Sequence, residues 1–98
     1  MHARVLSAKI KASSMERLEH EVRDIILPNL SRQPGYCGGW GLVDASTGHG
    51  MLVTFWETAQ DLEDSECSGL FTAHLMHLAG CLDGPAVRET FEVMSQHR

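Results

Sequence analysis

The chain has 98 residues, 43% of them hydrophobic and 21% charged, which is the make-up of one globular domain, 1–98, and excludes a disordered or fibrous class. A net charge of −5 with only eight Lys and Arg, scattered along the chain, excludes a nucleic-acid or anionic-membrane partner, because phosphate recognition needs clustered cations. No run of about 18 apolar residues and no signal-peptide core is present, so the expected location is cytoplasmic.

Three cysteines, Cys37, Cys67 and Cys81, are odd in number and form no CxxC pair. They read as reduced thiols, with neither a disulfide framework nor a zinc site. A domain of this size buries only roughly 60 to 65% of the surface of its unfolded chain, so its core is thin and oligomerisation is a common remedy.

Residues 3–10 alternate, with Leu6, Ala8 and Ile10 on one face and Val5, Ser7 and Lys9 on the other, which predicts a first strand. Ser13 followed by Glu16 has the spacing of a capping box and predicts a helix start. Met15, Leu18, Val22, Ile25 and Ile26 then recur at helical spacing against a charged remainder, giving one buried stripe. Pro28 should kink or end this helix, with a last turn through Arg32. Gln33, Pro34 and Gly35 are turn residues leading into a second strand, roughly Tyr36 to Val43.

Asp44 to Gly50 is long and polar for a hairpin turn and is expected to be a mobile loop. A third strand, roughly Met51 to Glu57, is apolar on both faces, which implies cover on both sides. Both tryptophans, Trp40 and Trp56, the single tyrosine, Tyr36, and four of the nine glycines fall in these two strands or the turn before them. Large rings beside bare backbone can line a pocket or fill a core, and whether Trp40 and Trp56 share a face depends on the register.

Thr58 with Asp61 opens a weakly amphipathic helix that Ser68 and Gly69 break near Cys67. A second helical stretch carries Phe71, Leu75, Leu78 and Leu82 within about 60° of one another and ends near Gly80, read as its C-terminal cap. His74 lies about 60° from the centre of that stripe, where it is either a boundary histidine with one hydrogen bond or a base or ligand. His77 falls on the solvated side, and no carboxylate stands at useful spacing to make these two histidines a metal site. After Asp83, Gly84 and Pro85, residues Val87 to Met94 alternate as a fourth strand.

Strand, helix, strand, strand, helix, strand is the order of the ferredoxin-like α+β fold, an antiparallel four-stranded sheet with both helices on one face. The other face would expose several hundred Å² of apolar surface, which predicts a homodimer packed sheet on sheet.

The segments Pro34-Gly35-Tyr36 before the Gly-rich strand, Val53-Thr54-Phe55-Trp56-Glu57-Thr58 and Phe71-Thr72-Ala73-His74 resemble the antibiotic biosynthesis monooxygenase-like family of the dimeric α/β-barrel superfamily, over nearly the whole chain. That resemblance implies a small monooxygenase-like protein without organic cofactor that oxidises an aromatic or quinol-type molecule in a pocket between helices and sheet. His74 is then the catalytic base, and Tyr36, Trp40, Trp56 and Phe71 are substrate-binding. It equally allows a non-catalytic protein of the same fold that binds a small apolar or aromatic ligand, and thirdly a haem-binding or haem-degrading protein. Haem-degrading members use an asparagine in the first strand, a tryptophan in the helix after the third strand and a later histidine. This chain has Ser7 and Lys9 in that strand, Ser65 near the tryptophan position, and His74 as the histidine's possible counterpart.

Overall fold

The computed structural model describes residues 1–97. Four strands, β1 (His2–Lys9), β2 (Tyr36–Asp44), β3 (His49–Trp56) and β4 (Val87–Glu92), form one antiparallel sheet in the order β2-β3-β1-β4. The helical segments between β1 and β2 and between β3 and β4 lie on one face, as the ferredoxin-like α+β fold requires.

Register decides what each face holds. Leu6 pairs with Leu52, Arg4 with Thr54 and His2 with Trp56, and these even positions carry the side chains that meet the helices. Their neighbours Ala3, Val5 and Ser7, opposite Phe55, Val53 and Met51, belong to the open face. On β2, Gly39 pairs with Thr54 and Trp40 with Val53. The two tryptophans therefore stand on opposite faces, Trp56 fully buried and Trp40 65% exposed.

The first helical region departs from a simple amphipathic helix. A 3₁₀ turn, Ala12–Ser14, precedes α1 (Met15–Glu21), a π-helical segment Val22–Ile26, and α2 (Leu27–Leu30). The expected capping box is absent, because Ser13 lies inside the entry turn, closed by the Ser14 N–H donating to the Lys11 carbonyl at 2.9 Å, and no side chain caps α1. Nor does Pro28 end the helix at once. The ladder ahead of it has already widened, with the Leu27 N–H reaching the Val22 carbonyl, and the chain stays helical to Leu30.

That widening has a packing cause. Leu18, Val22, Ile26 and Leu30 repeat every four residues, which drifts about 40° per repeat on a 3.6-residue helix. A wider π turn turns less per residue and keeps Ile26 and Leu30 on the sheet, where they form the core with Trp56, Leu62 and Leu78. Ile25, expected in the buried stripe, is left exposed instead.

The segment between β2 and β3 is a closed turn, contrary to the expectation of a mobile loop. Asp44 Oδ1 accepts from Ser46 N at 3.0 Å and Ser46 Oγ at 2.6 Å, while the Gly48 N–H donates to the Asp44 carbonyl at 2.8 Å. The side chain of Asp44 thus does locally what a two-residue turn does with backbone alone.

After β3, Thr58 Oγ1 caps α3 (Ala59–Cys67) by accepting from Asp61 N at 3.0 Å. Gly69, at φ 84, turns the chain into α4 (Leu70–Leu78), a left-handed conformation that favours glycine. Gly80 is not the left-handed cap expected of it. The helix runs on as a 3₁₀ turn, Ala79–Cys81, and an Ile10–Leu82 bridge ties the following chain to the end of β1. β4 stops at Glu92, two residues short of the expected strand.

Candidate functional site

A cavity of about 400 Å³ opens between the first helical region, α4 and the sheet. Its floor is the helix-facing row of β1, Leu6 and Ala8, continued by Ile10 just past the strand, with Leu52 and Gly50 from β3 and Gly39 and Gly41 from β2. Leu18, Val22 and Leu27 wall one side, Leu75 and Leu78 another, and the only ionisable wall residues are Glu19 and Arg23. The glycines of β2 explain why there is a narrow room here and not a filled core. A Cβ on Gly39 would stand 2.7 Å from both Leu27 Cδ2 and Tyr36 Oη, and one on Gly41 would stand 3.2 Å from Val22, so bare backbone lets the helix approach the sheet.

Beyond Leu6 and Leu52, the next row of the same face is Arg4 and Thr54, and here the site turns polar under a cover of rings. Arg4 is only 2% exposed. Its guanidinium carbon lies 4.4 Å from the Phe71 ring centre and 5.4 Å from that of Trp56. Rings stacked against a planar guanidinium attract it and fix its plane. Trp56 Nε1 donates to Thr54 Oγ1 at 3.1 Å, and Tyr36 meets the Trp56 ring edge-on with centres 5.6 Å apart.

Hydrogen bonds continue from the arginine toward the surface. Arg4 Nη1 donates to Ser65 Oγ at 3.4 Å, Ser65 Oγ donates to Gln33 Oε1 at 2.6 Å, and Gln33 Nε2 donates to Ser68 Oγ at 3.2 Å. Glu66 accepts from Arg88 Nη1 at 3.0 and 3.2 Å and lies 3.9 Å from Arg4 Nη1. Burial depresses the Arg4 guanidinium to about 10, with Glu66 opposing and Arg88 reinforcing the shift. It stays protonated at neutral pH.

The structure brings Trp56 and Phe71 against Arg4, with Tyr36 on the edge of the Trp56 ring, and none of the three is among the cavity's lining residues. Trp40 belongs to the stretch of β2 that borders the cavity, but with Gly39 and Gly41 facing the helices its ring projects from the open face. His74 is half-buried, one residue before Leu75 of the wall, and its ring makes no hydrogen bond among the described residues. Desolvation holds its pKa below the ordinary imidazole value, helped by the nearby charges of His77 and Arg4. Burial raises the Tyr36 phenol. His77 is tied away from the site, its Nε2 2.8 Å from Glu21 Oε2.

Sequence reading missed Arg4, Ser65 and Gln33. The alternation of β1 carried a signal for the first, since Arg4 is in phase with Leu6, Ala8 and Ile10. No group of three or more metal-ligating side chains occurs among the described residues.

The chain matches no protein-family model, and no curated protein is significantly similar to it. Solved structures are similar throughout its length. A monooxygenase from Streptomyces coelicolor in complex with the ligand Nanaomycin D superposes with a TM-score of 0.81 at 12% identity, over 99% of this chain and 90% of that one. The fold is that of the antibiotic biosynthesis monooxygenase-like proteins. A Nitrosomonas europaea protein provisionally assigned as an antibiotic biosynthesis monooxygenase gives a TM-score of 0.81 at 16% identity, over 97% and 100% of the two chains. The heme degrader MhuD from Mycobacterium tuberculosis, with two hemes bound in its active site, gives 0.79 at 19%, over 100% of both.

Haem does not fit the residues present. No histidine, cysteine or tyrosine is among the cavity's lining residues, and His74, the possible counterpart of the haem degraders' histidine, stands beside Leu75 at the edge of the wall. Ser65, near their helical tryptophan position, is a buried link of the Arg4 network.

Proposed function

We propose that the chain is a monooxygenase-like protein that admits an aromatic or quinol-type molecule to the apolar cavity and oxidises it with O2, without an organic cofactor, as a cytoplasmic homodimer paired sheet on sheet. The carrying observation is the cavity itself, about 400 Å³ with a wall apolar except at Ser7, Glu19 and Arg23, a size and character suited to a small ring system. In this reading His74 is the base. Its lowered pKa keeps it neutral at physiological pH and so able to accept a proton.

An electron-rich substrate supplies all the electrons. Deprotonation gives an anion that attacks O2. Over the turnover a ring CH2 becomes a carbonyl, one oxygen atom remaining on carbon while the other leaves as water with the two hydrogens. Phe71, Trp56 and Tyr36 shape the end of the site where the anion forms, and Trp40 lies on the strand at its edge.

Oxygen uptake with anthrone tests this. The wild type should consume one O2 per anthrone oxidised, and His74→Ala should be slower by about a hundredfold or more, the usual worth of a positioned base. Ala8→Phe, which puts a ring into the floor, should abolish uptake while leaving the far-ultraviolet circular dichroism unchanged. Uptake indifferent to both changes would dismiss the enzymatic reading.

A second reading is a ligand-binding protein without chemistry. It is favoured by the wall, where Glu19 and Arg23 are the only ionisable residues and already pair with each other, Arg23 Nη1 standing 3.5 Å from Glu19 Oε1. Absence of uptake together with a small molecule retained on the protein in native mass spectrometry would select it.

A further inference from the structure

Arg4 is the only buried charged residue among the described residues, and its charge is not balanced where it sits. A buried cation is costly unless it is paired and hydrogen-bonded. Arg4 and Arg88 share the single carboxylate of Glu66, which lies at hydrogen-bonding distance only from Arg88. The trio thus carries one excess positive charge.

The donors of Arg4 are also largely unused. Nη1 makes one long bond, 3.4 Å to Ser65 Oγ, while Nε and Nη2 have no acceptor among the described residues. No fully sealed side-chain nitrogen or oxygen there lacks a partner, so the unpaired donors of Arg4 keep a narrow opening although the residue is only 2% exposed.

Arg4 is not itself among the residues that line the cavity, but the row that carries it continues the cavity floor. Arg4 is the next residue after Leu6 in the row that forms the floor, its cross-strand partner Thr54 likewise follows Leu52, and Phe71 stands one helical turn before Leu75 of the wall. We infer that this end of the cavity receives an anionic oxygen of the ligand, a carboxylate or phenolate carried on an aromatic ring, with Arg4 as its hydrogen-bond donor. The inference deepens the reading of the cavity as an aromatic-ligand site and rests on it. The ring occupies the apolar floor, and the oxygen supplies the missing negative charge in a place where water competes little. Phe71 and Trp56 hold the guanidinium plane, so the donors are aimed before the ligand arrives.

Naphthoate and naphthamide test it, having the same ring and nearly the same outline but differing in charge. Binding to the full chain is read at neutral pH by quenching of tryptophan fluorescence. The wild type should bind naphthoate roughly tenfold or more tightly than naphthamide, the usual worth of a charge-assisted hydrogen bond in a dry site. Arg4→Met should bring naphthoate down to the naphthamide value while naphthamide binding persists, and Arg4→Lys, which keeps the charge without the planar fork, should keep only part of the preference.

Equal affinity of the wild type for both compounds would overturn the proposal even if Arg4→Met does not fold. So would a preference that survives Arg4→Met, or one that disappears in Arg23→Gln at the cavity wall while Arg4→Met retains it. Failure of both compounds to bind the wild type would remove the aromatic-ligand reading, and the proposal with it.

Discussion

Replacing Trp56 by Ala should cost the fold about 3 to 5 kcal/mol, because a fully buried ring leaves a cavity that its neighbours cannot fill. The ring sits among Ile26, Leu30, Leu62 and Leu78, is met edge-on by Tyr36 and carries the guanidinium of Arg4. Trp40→Ala, measured below the concentration at which the chain associates, should change stability by no more than about 0.5 kcal/mol, as for an ordinary surface position. Urea unfolding midpoints of the two variants provide the comparison, and similar losses would mean that the register placing the two rings on opposite faces is wrong. Composition alone made the pair look equivalent. The decision belongs to pairing partners, Trp40 with Val53 and Trp56 with His2 and Tyr36, which periodicity within one strand does not contain.

At the scale of elements, the contact between the first helical region and β2 is where site and stability meet. Gly39→Val should lose about 1 to 3 kcal/mol through overpacking, since even a Cβ there would stand 2.7 Å from Leu27 Cδ2 and Tyr36 Oη. Relief requires α2 to move off the sheet, which also reshapes the cavity, so equilibrium unfolding and ligand affinity should worsen together. A variant as stable as the wild type would show that the glycine is not there for close approach.

The strands were legible in the sequence, because alternation in β1 and β3 is a property of single segments that burial enforces. Their boundaries and links were less so. The turn after β2 looked like an open polar loop because Asp44 closes it with a side chain, and the π segment before Pro28 left no mark in the sequence because it depends on docking against the sheet. The apolar half of the site could be read from the same alternation. Its charged half was harder to read, because a residue of Arg4's type is almost always exposed, and its phase with Leu6, Ala8 and Ile10 gains meaning only from the ring stacking and the Ser65 and Glu66 contacts of the folded chain.

For the whole molecule, the open face of the sheet argues for a second copy. Trp40, Leu42, Val87 and Phe91 are each more than half exposed there, at 65, 52, 55 and 51%, and Met51, Val53 and Phe55 stand half-buried between them. An apolar surface of this kind, rimmed by Lys9, Asp44 and Glu89, is more than a soluble monomer usually leaves in water. A twisted antiparallel sheet can cover it with an identical sheet, interleaving side chains across about 10 Å, and the twofold arrangement puts the same residues on both sides of the interface. Covering this face leaves the cavity on the other face open to ligand. Sedimentation equilibrium at micromolar concentration should therefore return twice the chain mass of 10.8 kDa. Val53→Asp tests the face and not merely the mass. Val53 is flanked by Val5 and Trp40, so a carboxylate there would be trapped without a partner in the dimer yet hydrated in the monomer. The variant should sediment as a folded monomer with unchanged far-ultraviolet circular dichroism, whereas a monomeric wild type, or a dimer indifferent to the substitution, would place the contact elsewhere or nowhere.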